Sequence, residues 1–315
     1  MGICEGRVVV ITGAGRGIGR EEALAFAADG ARVVVNDLGA DLDGAGRRSE
    51  VAESVAEEIR GAGGEAVANG DDVSDWEGAQ RLLNTAIETF GALDVVVNNA
   101  GILRDRMIFN MNEDDWDAVM KVHLKGTFCT TRWAAAYWRE RAKAGDTNDA
   151  RVINTSSGSG LYGNPGQSNY GAAKAGIAAF TIITARELER YGVTVNAIAP
   201  GARTRMTMST GRPQQDVAPG EFDRRDPGNV APLVVWLGSA EAADVTGQVF
   251  NVAGGMVGVA EGWRRGPGRD KGGRWEPAEL GPVVREVLAE ATPGERVTLP
   301  RPGAGDRQPA PGSPS

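Results

Sequence analysis

The feature that most constrains this chain is an alternation. Short β-branched runs are separated by helical stretches, and the pattern continues from residue 7 to residue 255 without a break. Arg7 to Thr12 reads RVVVIT, a run bounded by glycine, as expected of a parallel strand buried on both faces. A glycine-rich turn follows, then REEALAFAADG, whose Ala23, Leu24, Phe26 and Ala27 share one helical face and whose Gly30 can cap the end. Further strands are expected at ARVVVND ending on Asp37, EAVAN (65–69), LDVVVNNAG ending on Gly101, ARVINTSS (150–157), VTVNAIAP (193–200) and QVFNVAGG (248–255). Helices are expected over 46–62, 76–91, 113–141 and 168–191. Alternating strands and helices imply an α/β fold: a Rossmann-type, doubly wound parallel sheet of seven strands with helices on both faces. The first domain is expected over residues 1–260. Residues 261–315 read as a C-terminal extension, loose and rich in Gly, Pro and Arg over 262–275 and 300–315, with one short helix in EPAELGPVVREVLAEA between them.

Composition removes several classes of function. A net charge of -8 argues against nucleic acid or an anionic membrane surface as partner, since both require basic faces. No apolar run is long enough to span a bilayer. The 2 cysteines, Cys4 and Cys129, form neither a disulfide framework nor a metal cluster, so no metal is expected. Met1 leads almost directly into the first strand with no signal peptide, and the terminal Ser-Pro-Ser is not a peroxisomal address, so the expected location is the cytoplasm.

The turn after the first strand has the spacing T-G-x-x-x-G-x-G: Thr12, Gly13, Gly17, Gly19. Glycines there let a backbone approach a pyrophosphate, and the following helix N-terminus, with Arg16 and Ile18 beside it, offers free N–H groups. A tight βα turn with no ligand has the same glycines. Its place after a first strand, with an acid ending the second, favours a dinucleotide. Asp37 is placed to accept hydrogen bonds from the adenine-ribose hydroxyls and to repel a 2′-phosphate, which selects NAD over NADP. Arg16 pulls the other way, because an arginine in this turn can pair with a 2′-phosphate. Asp72 and Val73 fall where an adenine ring would lie. Asn98, Asn99, Ala100 and Gly101 end the fourth strand, where asparagines can tie strand to cofactor loop.

Ser157, Tyr170 and Lys174 form the most specific constellation. Tyr170 and Lys174 stand at i, i+4 and share a helical face. Oxidising a secondary alcohol needs a base while hydride leaves for nicotinamide. A free tyrosine, with a pKa of about 10, is a poor base until a nearby ammonium favours its phenolate. Ser157, ending the fifth strand, can donate to the substrate oxygen.

TGAGRGIG, NNAG, the Ser157, Tyr170, Lys174 spacing and Pro200-Gly201 resemble the short-chain dehydrogenase/reductase family over residues 6–255. The resemblance implies strand order 3-2-1-4-5-6-7 and a homodimer or homotetramer through the two long helices. It also places Lys174, with Tyr170, at the nicotinamide ribose and Pro200-Gly201 beside the nicotinamide. His123, the only histidine, stands where an asparagine usually completes a catalytic tetrad. In the family that asparagine acts through its main-chain carbonyl, a role a histidine can keep. His123 is therefore placed in the catalytic set without being the base. VHLKGTF, VVVNDLGAD, NNAGILRDR, YGNPGQSNY, RMT and VAPLVVWL are similar to the (3R)-hydroxyacyl-CoA dehydrogenase unit of peroxisomal multifunctional enzyme type 2.

That branch implies an NAD-dependent 3-hydroxyacyl-CoA or hydroxysteroid dehydrogenase. The alternatives are a ketoreductase for polyketide or other small carbonyl substrates and a non-catalytic dinucleotide-binding protein. Residues 203–225 read as a mobile substrate lid whose Arg203, Arg205 and Arg212 are solvated or meet CoA phosphates. Trp116, Trp133, Trp138 and Trp236 read as core or interface residues.

Overall fold

The computed structural model describes residues 2–48, 50–208, 217–218 and 220–295. Arg212 and the stretch 300–315 lie outside the described residues. The chain divides into two units, Met1–Gly266 and Pro267–Ser315.

The first unit is built on one sheet with strand order β3-β2-β1-β4-β5-β6-β7-β8. Its strands are β1 (Val8–Thr12), β2 (Arg32–Asn36), β3 (Glu65–Asn69), β4 (Val95–Asn98), β5 (Ala150–Thr155), β6 (Val193–Pro200), β7 (Val249–Ala253) and β8 (Met256–Val259). The first seven pair in parallel and in the expected order. The expected count of seven is one short. β8 returns antiparallel along β7, pairing Phe250 with Val259 and Ala253 with Met256. The turn between them is Gly254-Gly255, with Gly254 at φ +57, where a residue with a side chain is strained. Two glycines between apolar runs signal a hairpin; the expected seventh strand absorbed them.

Helices cover both faces: α1 (Gly17–Ala28), α2 (Glu50–Gly61), α3 (Trp76–Phe90), α4 (Glu113–Met120), α5 (Gly126–Lys143), α6 (Gly158–Tyr162), α7 (Ser168–Leu188), α8 (Arg205–Met208) and α9 (Ala231–Gly238). Strand residues alternate between two cores. Val9 and Ile11 pack with Phe26 of α1, Val55 of α2 and Leu237 of α9. Val8 and Val10 pack with Leu82 of α3, Trp138 of α5 and Leu188 of α7. Burial of one such side chain as Phe26 contributes on the order of 2–3 kcal/mol. The Trp138 indole N–H donates to the Leu93 carbonyl at 2.7 Å and that of Trp133 to the Trp76 carbonyl at 3.0 Å, so both rings serve packing.

Capping explains the helix ends. The Asp75 carboxylate accepts from the Gly78 N–H at 2.8 Å to start α3, and Gly91 at φ +79 stops it. Asn112 starts α4 by accepting from the Asp115 N–H at 2.7 Å. The expected helix over 113–141 is in fact α4, a π-helical turn over Lys121–Lys125, and α5. The expected helix over 168–191 is α7 followed by a 3-10 turn, Glu189–Tyr191.

In the second unit, α10 (Leu280–Glu290) follows a 3-10 turn, Pro277–Glu279, that Glu276 and Glu279 close as a capping box. Arg269 reaches Glu286 and Glu290 on that helix. No helix among the described residues is long and apolar enough to cross a membrane.

Candidate active site

Strand order reverses between β1 and β4. The crossovers leaving these strands run to opposite faces, and a crevice opens at their carboxyl ends. A cavity of about 380 Å³ occupies it. Of the residues expected in the site, Gly13, Arg16, Gly17, Ile18, Asp37, Asp72, Val73, Asn99, Ala100, Gly101, His123, Ser157, Tyr170, Lys174 and Pro200 all line this cavity. Gly19 and Gly201 do not. Gly19 is a packing position: a Cβ there would lie 2.4 Å from the Asn99 amide nitrogen. At Gly201 it would lie 2.9 Å from the Ala253 Cβ.

The glycine turn holds its shape without side chains. Gly13 has φ +65, and a Cβ on it would come within 2.8 Å of the Ala100 Cα. At Gly15 a Cβ would reach 2.3 Å from Val51. Thr12 Oγ1 accepts from the N–H groups of Asn99 and Ala100, at 3.0 and 3.1 Å, while the Asn99 amide donates back to the carbonyls of Thr12 and Gly13. The ends of β1 and β4 are thereby locked together. No side chain caps the N-terminus of α1, and its first turn carries no acid, so its N–H groups remain available to an anion. Beside the same turn, the Asp37 carboxylate accepts from the Gly15 N–H at 2.9 Å and the Gly39 N–H at 2.7 Å. A pyrophosphate-accepting helix end with a fixed carboxylate beside it suits the pyrophosphate and the adjoining adenine ribose of a dinucleotide. Burial pushes the Asp72 carboxyl up, but the Ser74 hydroxyl (2.6 Å) and N–H (2.9 Å) outweigh it and hold the group below its ordinary range.

Sequence reasoning missed the strap that follows β2. Leu38, Ala40, Asp41, Leu42, Asp43 and Gly44 also line the cavity. The Leu42 carbonyl accepts from the Leu103 N–H at 2.9 Å, and the Asp43 carbonyl accepts from Arg104 Nε at 2.9 Å. The signal was the polar, glycine-rich run 39–46 between strand and helix. Arg16 donates to the Ala40 carbonyl of the strap at 3.3 Å. Arg203 is ion-paired with Asp223, whereas Arg205 lines the cavity.

Ser157 caps α6, accepting from the Ser159 N–H at 3.2 Å. Gly160 lets this turn press against α7: a Cβ there would lie 2.6 Å from the Ala175 nitrogen. The Ser157 hydroxyl therefore faces Tyr170, favouring its phenolate. Lys174 is buried and donates from Nζ to the Thr155 carbonyl at 2.5 Å. Burial pushes it down to about 7. Tyr170 is pushed up to about 12, by burial first, with Ser157 opposing and the Asp105 charge adding. The expected lowering by Lys174 does not arise here, because the ammonium stands 5.6 Å from the centre of the phenol ring and is spent on Thr155.

His123 sits in the π-helical turn, fully buried, its ring edge-on to Tyr170 at 5.1 Å. Its Nε2 lies 3.1 Å from the Ile102 nitrogen and 2.8 Å from the Ile102 oxygen. Burial, then the Lys174 charge, push it down to about 3. A neutral imidazole so hard to protonate is no base at neutral pH.

The short chain dehydrogenase family matches residues 7–215. A hydroxyacyl-CoA dehydrogenase, ChsB1, of Mycobacterium tuberculosis is 47% identical over 292 residues, covering 91% of this chain and 90% of that protein. Peroxisomal multifunctional enzyme type 2 of Mus musculus is 45% identical over 290 residues, covering 92% of this chain but 35% of that protein. A crystal structure of a short chain dehydrogenase from Mycobacterium avium is 60% identical with a TM-score of 0.85, covering 94% of this chain and 99% of that one. The sheet order, the cradle for a dinucleotide and these matches together make the chain a member of the short-chain dehydrogenase/reductase family, NAD(P)-dependent oxidoreductases that act on CH–OH groups.

Proposed function

We propose that the chain is an NAD-dependent dehydrogenase of 3-hydroxyacyl-CoA thioesters, with Tyr170 as acid/base. The observation that carries this reading is that Ser157, Tyr170 and Lys174 line the same cavity as the glycine turn and Asp37. Similarity to a hydroxyacyl-CoA dehydrogenase over nine-tenths of both proteins supports the substrate class.

When bound, the nicotinamide accepts or donates the hydride and, in its oxidised form, adds a positive charge. The residues do the rest. The phenol oxygen of Tyr170 takes the alcohol proton in oxidation and returns it in reduction. Ser157 donates to the substrate oxygen and steadies the charge that develops there. Lys174 is held by the Thr155 carbonyl, with its Nζ 5.6 Å from the centre of the phenol ring. His123 contributes its main-chain carbonyl, since its ring is committed to Ile102. Gly13, Gly17 and the N-terminus of α1 would hold the pyrophosphate, and Asp37 would take the ribose hydroxyls and oppose a 2′-phosphate. Self-association runs through the exposed faces of α5 and α7.

The test is a panel of secondary alcohols with NAD and with NADP, followed by absorbance of the reduced cofactor. A (3R)-hydroxyacyl-CoA with NAD should outperform hydroxysteroids and small cyclic alcohols at least tenfold in kcat/KM. Asp37→Ala should narrow the preference for NAD over NADP by about 1 kcal/mol or more. Faster turnover of a steroid or cyclic alcohol, or wild-type preference for NADP, would overturn the substrate or cofactor assignment respectively.

A further inference from the structure

The loop that leaves β4 beyond the cofactor cradle carries a carboxylate, Asp105, that the reaction described above does not use. Its Oδ2 accepts from Gln167 Nε2 at 2.7 Å. Gln167 is itself buried, and its Oε1 accepts from the Ser159 hydroxyl at 2.7 Å and from the Asn164 amide at 2.7 Å. Ser159 in turn donates its N–H to the Ser157 hydroxyl oxygen. One hydrogen-bonded path therefore runs from Asp105 through Gln167 and Ser159 to Ser157. Two further ties pull the same loop onto the start of α7. Arg106 and Gln167 form an isolated parallel bridge. Asn169 donates to the carbonyls of Arg104 and Asp115, each at 2.9 Å, while its own oxygen accepts from the Tyr170 N–H at 2.7 Å.

We propose that Asp105 and Gln167 are positioning residues for the reaction: their hydrogen bond joins the loop after β4 to the turn carrying Ser157 and to the first turn of the helix carrying Tyr170. This rests on the reading of Tyr170 as acid/base. Gln167 suits the task because it must donate at one end and accept at the other, which a carboxylate in its place cannot do.

The charge has its own signature. Asp105 Oδ1 is buried with no hydrogen-bond partner among the described residues, so half of the carboxylate is poorly compensated. Burial raises the Asp105 carboxyl, while Gln167 and the Arg106 guanidinium oppose. Arg106 is itself shared with Asp115 at 3.8 Å. Tyr170 is faced by Lys174 from its own helix, the His123 ring from the π-helical turn, Ser157 from the end of β5, and Asp105 from the loop. Asp105 is the anion of that set and pushes the phenol up. Removing its charge while keeping its hydrogen bond must make the phenolate easier to form.

The experiment follows the pH dependence of alcohol oxidation, using the secondary alcohol that the wild-type protein turns over fastest. Asp105→Asn keeps an oxygen for Gln167. Its ascending limb should move to lower pH by about half a unit, with kcat on the plateau within about threefold of wild type. Asp105→Ala and Gln167→Ala break the bridge. Each should lose about tenfold in kcat with the cofactor KM unchanged, and the double variant should lose no more than the worse single one. Circular dichroism and NADH binding verify folding of every variant. An unmoved limb in Asp105→Asn, or multiplied losses in the double variant, overturns the proposal. Tyr170→Phe separates the two layers: if it keeps turnover, the reading of Tyr170 fails as well; if it loses turnover while Asp105→Asn leaves the limb in place, only the role of Asp105 fails.

Discussion

Glu22 lies on the apolar face of α1 with no exposed surface, and neither of its carboxyl oxygens has a hydrogen-bond partner among the described residues. Burial alone pushes it up to about 8, so it is protonated at neutral pH. The sign of its effect on stability follows. Unfolded, the group ionises near its ordinary value of 4.5; folded, it holds its proton to about 8. Between these values the folded state binds more protons, and stability falls as pH rises. The whole loss, a few kcal/mol, is in place above pH 8. Glu22→Met, which fills the same space without a carboxyl, should raise the melting temperature by several degrees more at pH 8.5 than at pH 5. An equal change at both pH values would contradict the assignment. No sequence signal singles out Glu22, since REEALAFAADG places it on a helix without saying that the packing around α1 would leave it no water. Tyr170 and Lys174 were legible because their chemistry depends on an i, i+4 spacing. The direction of their pKa shifts was not, because it depends on burial and on where the Lys174 ammonium spends its hydrogen bond.

Between α4 and α5 a π-helical turn carries His123 toward the loop after β4. The loop can receive it only because residue 101 is glycine: a Cβ there would stand 2.3 Å from the imidazole Cε1. Nε2 faces both the nitrogen and the oxygen of Ile102, and Nδ1 is buried without a hydrogen-bond partner among the described residues. The ring is thus a structural wedge held neutral. Its pKa falls to about 3, so protonation is resisted in the folded state, and stability present above pH 6.5 drains away as pH falls toward 3. This element offers a clean probe, because the chain has 1 histidine. Proton NMR should show its Cε1 resonance unchanged between pH 8 and pH 5. A titration centred near 6.5 would contradict a buried neutral ring. The sequence pointed to an unbroken helix over 113–141, since no proline interrupts that stretch. The extra residue of a π turn leaves no compositional trace; it is selected by the packing of His123 against Ile102 and Tyr170.

At the scale of the whole molecule, alternation of strands and helices was enough to derive a parallel sheet, and the glycine turn located its switch point. The order of seven strands came with the family resemblance. The eighth was hidden because Met256–Val259 is an edge strand with exposed Met256, Val257 and Val259, which a burial pattern does not mark. The residues lining the cavity all fall between Gly13 and Met206, inside the first unit. Its outer faces carry apolar residues that, among the described residues, stay exposed: Phe128 of α5 is 43% exposed and Ile183 of α7 is 55% exposed. Phe128 stands 6.0 Å from Trp76 and 6.5 Å from Phe180, ring centre to ring centre, so the patch is continuous across three helices. A contiguous apolar face of this kind marks an association surface. Light scattering on the purified protein should give a dimer or tetramer, and Phe128→Glu with Ile183→Glu should convert it to a monomer. A monomeric wild type would contradict this surface.

The proposed reaction turns on the phenol of Tyr170. The direct measurement compares wild type and Tyr170→Phe for NADH formation from a (3R)-hydroxyacyl-CoA, with NADH binding titrated on the same samples. The predicted result is NADH affinity within about twofold of wild type and turnover reduced about a thousandfold, the share that a positioned acid/base contributes. Unchanged turnover in Tyr170→Phe, with NADH still bound, would contradict it.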